Sequence, residues 1–329
     1  MTLPPLPDEV RQSVESYLEL TDTAVPGLIE GLYLHGSLTY GDFRPGRSDI
    51  DFLAVLSERP SAMSVDALRE VFRELSGRHP RPYFDGLHVT RADLADSPKG
   101  CPDVPCVQEW DFRPTGHFGR NLVTWHEIAR QAVTVRGPRL TADDVWTDQT
   151  ALRAYSHANL AEFWQPSLDT LRAGEGQEWV LDGPAERGEW VTEWFVLGVA
   201  RLHHLLATDR LTSKTGAGRH ALTAFDERWQ PIVHEALRIR EGSATSSYEG
   251  DPAARLRDTI AFAATAIEAG RQLAPDALPQ ALSRQPLQRH QCRVVAEVAV
   301  DVVQEGAAQG GDHGRQWAVR VGAGVGGRS

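Results

Sequence analysis

Apolar residues recur along this chain with two different periods, and the change of period divides it. After a proline-rich start, Val10, Val14, Leu18 and Leu20 fall close to helical spacing within DEVRQSVESYLELTDTA, which predicts a helix over 8–24 with Asp8 as its cap. GLYLHGS reads as a short strand running into a turn, and IDFLAVL (50–56) as a second strand, buried on both faces towards its end. SVDALREVFRELSGR (64–78) predicts an amphipathic helix capped by Ser64, and YFDGLHVT (83–90) a third strand. Strand, loop, strand, helix, strand is the order of a compact α/β unit.

Residues 96–121, rich in Pro, Asp and Gly, read as a linking loop with little regular structure. Beyond it every segment reads helical, from VTWHEIARQAV through EWVTEWFVLGVARLHHLLATD to DPAARLRDTIAFAATAIEAG, each with apolar residues three and four apart. From Arg271 Gln and Gly accumulate and the pattern fades. The expected division is an α/β (α+β) domain with a small mixed sheet over 1–121, an all-α helical-bundle domain over 122–270, and a loosely ordered tail over 271–329.

Composition narrows the partners. A length of 329 residues with 41% hydrophobic content is enough for two cores. A net charge of −11 disfavours a nucleic-acid backbone as the main partner and suits a small cationic substrate. Three cysteines, Cys101, Cys106 and Cys292, make no disulfide framework. No apolar run approaches the ~18–20 residues of a membrane span, and MTLPPLPDEV lacks the features of a signal peptide. The expectation is a cytoplasmic protein with no membrane or nucleic-acid partner.

The chemistry concentrates in LYLHGSLTYGDFRPGRSDIDFLAVL, residues 32–56. Gly36 lets backbone approach a ligand closely, and Ser37 offers a hydroxyl and an amide where a strand ends; phosphate oxygens are the natural ligand. Asp49 and Asp51 are two apart on a strand, so their carboxylates share a face and repel unless a cation joins them. Oxygen ligands beside a phosphate-gripping turn indicate Mg²⁺, which takes one or two carboxylates plus substrate phosphates. Gly-Ser alone is usually an ordinary turn and Asp-Ile-Asp alone a solvated strand end. Twelve residues apart and framed by two apolar strands, they are far more specific.

This stretch resembles the nucleotidyltransferase superfamily with the DNA polymerase β-like fold, and HGSLTYGDFRPGRSDID resembles the adenylyltransferases that modify streptomycin and spectinomycin. VTWHEIARQAVTVRGP (123–138) and FVLGVARLHHLLATDRLTSKTGAGRHAL (195–222) extend the resemblance, which covers roughly 30–265. It implies Mg²⁺-dependent transfer of AMP from ATP to a hydroxyl of an aminoglycoside-like acceptor. It also implies a third carboxylate at Asp85, as the base or as a third metal ligand; relatives generally carry glutamate there, and the shorter aspartate leaves both roles open. Lys214 resembles the lysine sent from the helical domain to the triphosphate, and Trp110 the tryptophan that packs on the drug. Ser48 is expected to bond the nucleotide or to orient the metal carboxylates. Glu189 and Glu193, four apart on a helix face, could meet cationic groups of the acceptor, although they do not line up cleanly with the family's drug-binding acids. The alternatives are a protein or metabolite acceptor, or a nucleotide-binding module without turnover.

Other patterns carry less. His126-Glu127 opens like HExxH, but Arg130 takes the place of the second histidine. Gly322, Gly324 and Gly327 match GxGxxG at the chain end with no strand before them. His203-His204 reads as packing, and Cys101 and Cys106 lack zinc spacing.

Overall fold

The computed structural model describes residues 4–243 and 245–273. The C-terminal segment from 274, with Cys292 and the glycine triple, lies outside the described residues. Helix α1 (Asp8–Ala24) begins one residue after Pro7, whose carbonyl accepts the Arg11 amide at 2.9 Å. Asp8 therefore stands inside the first turn rather than capping it, where its charge favours the helix N-terminus and pairs with Arg11 at 2.7 Å. Strands β1 (Ile29–Leu34) and β2 (Ile50–Leu56) follow, joined through a 3₁₀ turn at Gly36–Tyr40. Helix α2 (Ala62–Arg78) starts two residues earlier than the sequence suggested, because the Ser61 side chain accepts the Ser64 amide and Ser61, not Ser64, is its cap.

Strand β3 (Phe84–Thr90) lies parallel to β2, with α2 as the crossover. After the one-turn helix α3 (Arg91–Leu94) the chain departs from the expected loop. Strands β4 (Val104–Gln108) and β5 (Asp111–Gly116) form a hairpin on the sheet edge. Its turn is made by Glu109 and Trp110, both at positive φ without the usual glycine or asparagine, and Pro105 and Pro114 interrupt the strand pattern, so the hairpin carries no ordinary sequence signal. Helix α4 (Leu122–Gln131) leads into β6 (Val133–Arg136), a second departure: this short edge strand pairs antiparallel with β1, and its four residues continue the apolar pattern of α4. The sheet order is β5-β4-β3-β2-β1-β6.

Alternation along β2 sends its residues into two cores. Phe52, Ala54 and Leu56 pack towards α1 and α2 with Tyr17 and Phe72, while Leu53 and Val55 pack on the opposite face with Leu87, Val89 and Trp125 of α4. Asp51 and Asp85 share parity with the second set, so their carboxylates belong to the α4 face.

The remainder is helical: α5 (Gln149–Asn159), a π turn at Leu160–Trp164, α6 (Gln165–Arg172), α7 (Gln177–Leu181), α8 (Ala185–Thr208), α9 (Lys214–Ala224), α10 (Gln230–Glu241) and α11 (Pro252–Gln272). Helix α8 is the axis of this half, burying Phe195, Val196, Val199 and Ala200 against its neighbours. Among the described residues no helix is long and apolar enough to cross a membrane.

Two buried contacts fasten the helical half to the sheet half. Thr215 on α9 gives its amide and hydroxyl to the Asp42 carboxylate, at 3.1 and 2.6 Å. Arg240 on α10 donates to the Asp42 carbonyl and to Ser48 Oγ, both at 2.9 Å. These partners lie in the β1–β2 loop, immediately before Asp49.

Candidate active site

Gly36, at the end of β1, has φ +61, and a Cβ built there would stand 2.0 Å from Asp51 Oδ2. Only glycine allows the turn to close over that carboxylate. The turn is held from α4: the Glu127 carboxylate accepts from Gly36 N at 3.2 Å, from His35 Nδ1 at 3.2 Å and from Tyr40 Oη at 3.0 Å. Burial pushes the Glu127 carboxyl up, but the His35 bond and charge outweigh it and hold the group below its usual range; His35 is correspondingly raised. The Gly36 amide is thus committed within the protein. The free donor of the motif is Ser37, whose Oγ is buried without a hydrogen-bond partner and whose residue lines the cleft.

The three aspartates line the same cleft. Asp51 and Asp85 are register partners on β2 and β3, and Asp49, just before β2, shares their side. Burial raises all three: Asp51 reaches about 6, with Glu127 and Asp49 adding to the rise, and Asp85 stands well above the ordinary value, with Asp49 as the next cause. One oxygen of Asp85 is tied, accepting the Glu109 amide at 2.8 Å.

All three acids line a cleft of about 420 Å³ between the sheet and the helices, together with Gly36, Ser37, Ser48 and Lys214. Ser48 Oγ accepts from the Arg44 amide and from Arg240, so it anchors the loop that precedes Asp49. Lys214 is the first residue of α9, behind the Ser213 cap, and its Nζ contacts Glu193 at 3.0 Å. Glu189 and Glu193 are not among the cleft-lining residues. Glu189 pairs with Arg238 at 2.5 Å, and Glu193 with Lys214, Arg240 and Arg47 within 4 Å. Trp110, at the β4–β5 turn, packs edge-on against Tyr83 and donates to the Pro80 carbonyl at 3.2 Å, also outside the cleft lining.

Several residues of the site escape sequence reasoning. Glu127, paired with His126 in the abortive HExxH pattern, acts instead on a turn 91 residues earlier in the chain. Arg201 lines the cleft on α8 and feels the charges of Asp51 and Glu127. Trp164 and Trp194 also line it; their spacing on helices is that of ordinary core residues.

Residues 15–94 match the family model described as nucleotidyltransferase domain, and residues 180–265 match the one described as aminoglycoside adenylyltransferase, C-terminal domain. The chain is an aminoglycoside adenylyltransferase-like nucleotidyltransferase. The first match spans the three aspartates and Gly36-Ser37, the second Lys214. In fold, this nucleotidyltransferase is similar to the spectinomycin adenyltransferase AAD(9) from Enterococcus faecialis, solved with ATP and spectinomycin. The TM-score is 0.56 at 14% identity, covering 78% of this chain and 99% of that one. No curated protein matches it by sequence.

Among the described residues of this nucleotidyltransferase, no group of three or more His, Cys, Asp or Glu side chains is drawn together closely enough to hold a metal alone. Mg²⁺ that takes one or two carboxylates plus substrate phosphates needs no such cage. The donor set fits it: carboxylates of raised pKa, with that of Asp51 accepting no hydrogen bond among the described residues, are groups that a cation would stabilise in the charged form.

Proposed function

We propose that this nucleotidyltransferase transfers AMP from ATP to a hydroxyl of a small, aminoglycoside-like acceptor and releases pyrophosphate. The observation that carries the reading is that Asp49, Asp51 and Asp85 line one cleft with the unpartnered Ser37 hydroxyl and the Lys214 ammonium. In the transfer, the acceptor oxygen forms a bond to the α-phosphorus and the bond from that phosphorus to the bridging oxygen breaks. The pyrophosphate departs with the bridging electron pair.

Ser37 donates its free hydroxyl to a phosphate oxygen. Ser48, held by Arg240, fixes the loop that aims Asp49. Asp49 and Asp51 are the residues that would hold Mg²⁺, which when bound neutralises charge on the phosphates. Lys214 turns from Glu193 to the triphosphate, and Arg201 stands on the same helical wall as a second cation. Asp85 takes the proton of the attacking hydroxyl with its untied oxygen, or joins the metal; desolvation and the Asp49 charge raise its pKa, which strengthens it as a proton acceptor.

The test is pyrophosphate release from ATP across a panel of aminocyclitols and glycosides. Release that requires both acceptor and Mg²⁺, and that vanishes in Asp49→Asn, supports the transfer. Tight ATP binding with no release from any acceptor would make the chain a nucleotide-binding module.

A further inference from the structure

Ser37 and Lys214, the two groups assigned above to phosphate, come from opposite halves of the molecule. Asp42 is hydrogen-bonded to one and to the immediate neighbour of the other. Its amide donates to the Ser37 carbonyl at 2.9 Å, and its carboxylate accepts the Thr215 hydroxyl at 2.6 Å and the Thr215 amide at 3.1 Å. Thr215 is the second residue of α9, and the first amides of a helix have no partner within it. The Ser213 side chain takes the Gly216 amide at 3.0 Å, and Asp42 takes that of Thr215 from the sheet half, where its charge also suits the helix dipole. Lys214 is thus flanked on both sides by residues whose positions are fixed.

We infer that Asp42 is a positioning residue for the transfer: by tying the first turn of α9 to the β1–β2 loop, it sets the root from which Lys214 reaches the triphosphate gripped at Ser37. The inference rests on the transfer reading above, which gives Ser37 and Lys214 that task, and adds the residue that fixes one relative to the other. A lysine carries a point charge on a flexible four-carbon stem, so its reach is governed by where its Cα stands. Its Nζ contacts Glu193 at 3.0 Å, and with the root held in place a side-chain rotation is enough to exchange that carboxylate for a phosphate.

Asp42 acts through these neighbours rather than on the substrate. It lines the cleft but is 4% exposed, and both carboxylate oxygens are engaged: Oδ1 with the Thr215 hydroxyl and with Arg44 at 3.3 Å, Oδ2 with the Thr215 amide. Burial pushes the carboxyl up, but the Thr215 hydroxyl and amide, with Ser213 and Arg240 behind them, outweigh it and hold the group below its usual range, so it stays an acceptor. Arg240 makes a separate tie from α10, to the Asp42 carbonyl and to Ser48 Oγ, and a change of the Asp42 side chain leaves that carbonyl in place.

The experiment is a double-mutant cycle, read by calorimetric titration of ATP with Mg²⁺ into full-length wild type, Asp42→Asn, Lys214→Ala and the double variant. Asp42→Asn turns an NH₂ group towards one of the two Thr215 donors and should weaken ATP about tenfold in the wild-type background, a loss in the range of a charge-assisted contact. In the Lys214→Ala background the same change should weaken ATP by less than about twofold, because the group that Asp42 positions is gone. Thr215→Ser, which keeps both donors, should bind ATP as wild type does, and Thr215→Val, which lacks the hydroxyl, about threefold more weakly. If Asp42→Asn has lost its cooperative thermal transition, the cycle is run with Thr215→Val in its place. An equal loss in both backgrounds would make Asp42 a structural residue alone and overturn the inference, as would no loss in the wild-type background, or Thr215→Ser as weak as Thr215→Val. Those outcomes leave the transfer reading standing. A wild type that binds no ATP would defeat that reading and the inference with it.

Discussion

Asp51 and Asp85 stand opposite each other in the parallel register of β2 and β3, and the turn at Gly36 closes over Asp51 so tightly that a single added carbon would collide with its carboxylate. The charge centre of the cleft is therefore built by strand pairing and capped by backbone. Its weakness without a cation is the desolvation of these acids, with their mutual repulsion added to it.

That cost, desolvation first and repulsion second, has a sign that can be measured. Asp51 has its folded-state pKa raised to about 6, so the folded protein binds the proton more tightly than the unfolded chain. The folded state is penalised as pH rises through that value, and the penalty is absent below the unfolded pKa of about 4. In metal-free protein, Asp51→Asn should raise Tm relative to wild type by roughly 3 °C or more at pH 7 and by nothing at pH 4. Thermal scans across pH check this, and a difference that is largest at pH 4 would contradict it. The same variant, and Asp49→Asn, should lose transfer by orders of magnitude.

Asp85→Asn separates base from ligand. If Asp85 accepts the proton, kcat falls about a hundredfold or more with the Mg²⁺ dependence unchanged. If it binds metal, half-maximal activity shifts to higher Mg²⁺ as the rate falls. Titration of Mg²⁺ against rate in the variant distinguishes the two.

If the cation at the start of α9 both binds the triphosphate and holds the helical half against it, as proposed, Lys214→Ala should raise ATP KM and lower kcat. Lys214→Arg should restore part of the loss, the planar fork replacing a point charge. Unchanged ATP kinetics would leave Lys214 as the partner of Glu193 alone.

Arg240→Met removes the cation that joins Asp42, Ser48 and Glu193. Breaking such a buried contact strands acids without their partner and should cost about 3 kcal/mol in denaturant unfolding. A near-neutral result would mean that Thr215 and Lys214 suffice for the two carboxylates.

The placement of Gly36, Ser37, Asp49 and Asp51 in one cleft was legible because they are neighbours in one strand-turn-strand unit: they lie within sixteen positions, and strand alternation alone puts the acids on one side. Lys214 and Asp85 came through family resemblance, and both line the same cleft. The remainder depended on tertiary contact. Glu127 is defined by donors 87 to 92 residues away, and Arg240 by a loop nearly two hundred residues earlier. Helical spacing gives Trp194 no mark that separates it from a core residue such as Phe195. The β4–β5 hairpin was hidden by prolines and by a turn of Glu109 and Trp110, and the edge strand β6 by its brevity.

The transfer itself is tested most directly by the mass of the acceptor after incubation with ATP and Mg²⁺. The expected product is an acceptor heavier by one adenylyl group, with one pyrophosphate released per adduct and neither formed by Asp49→Asn. An acceptor carrying a single phosphoryl group with release of ADP, or an unmodified acceptor in every case, would contradict it.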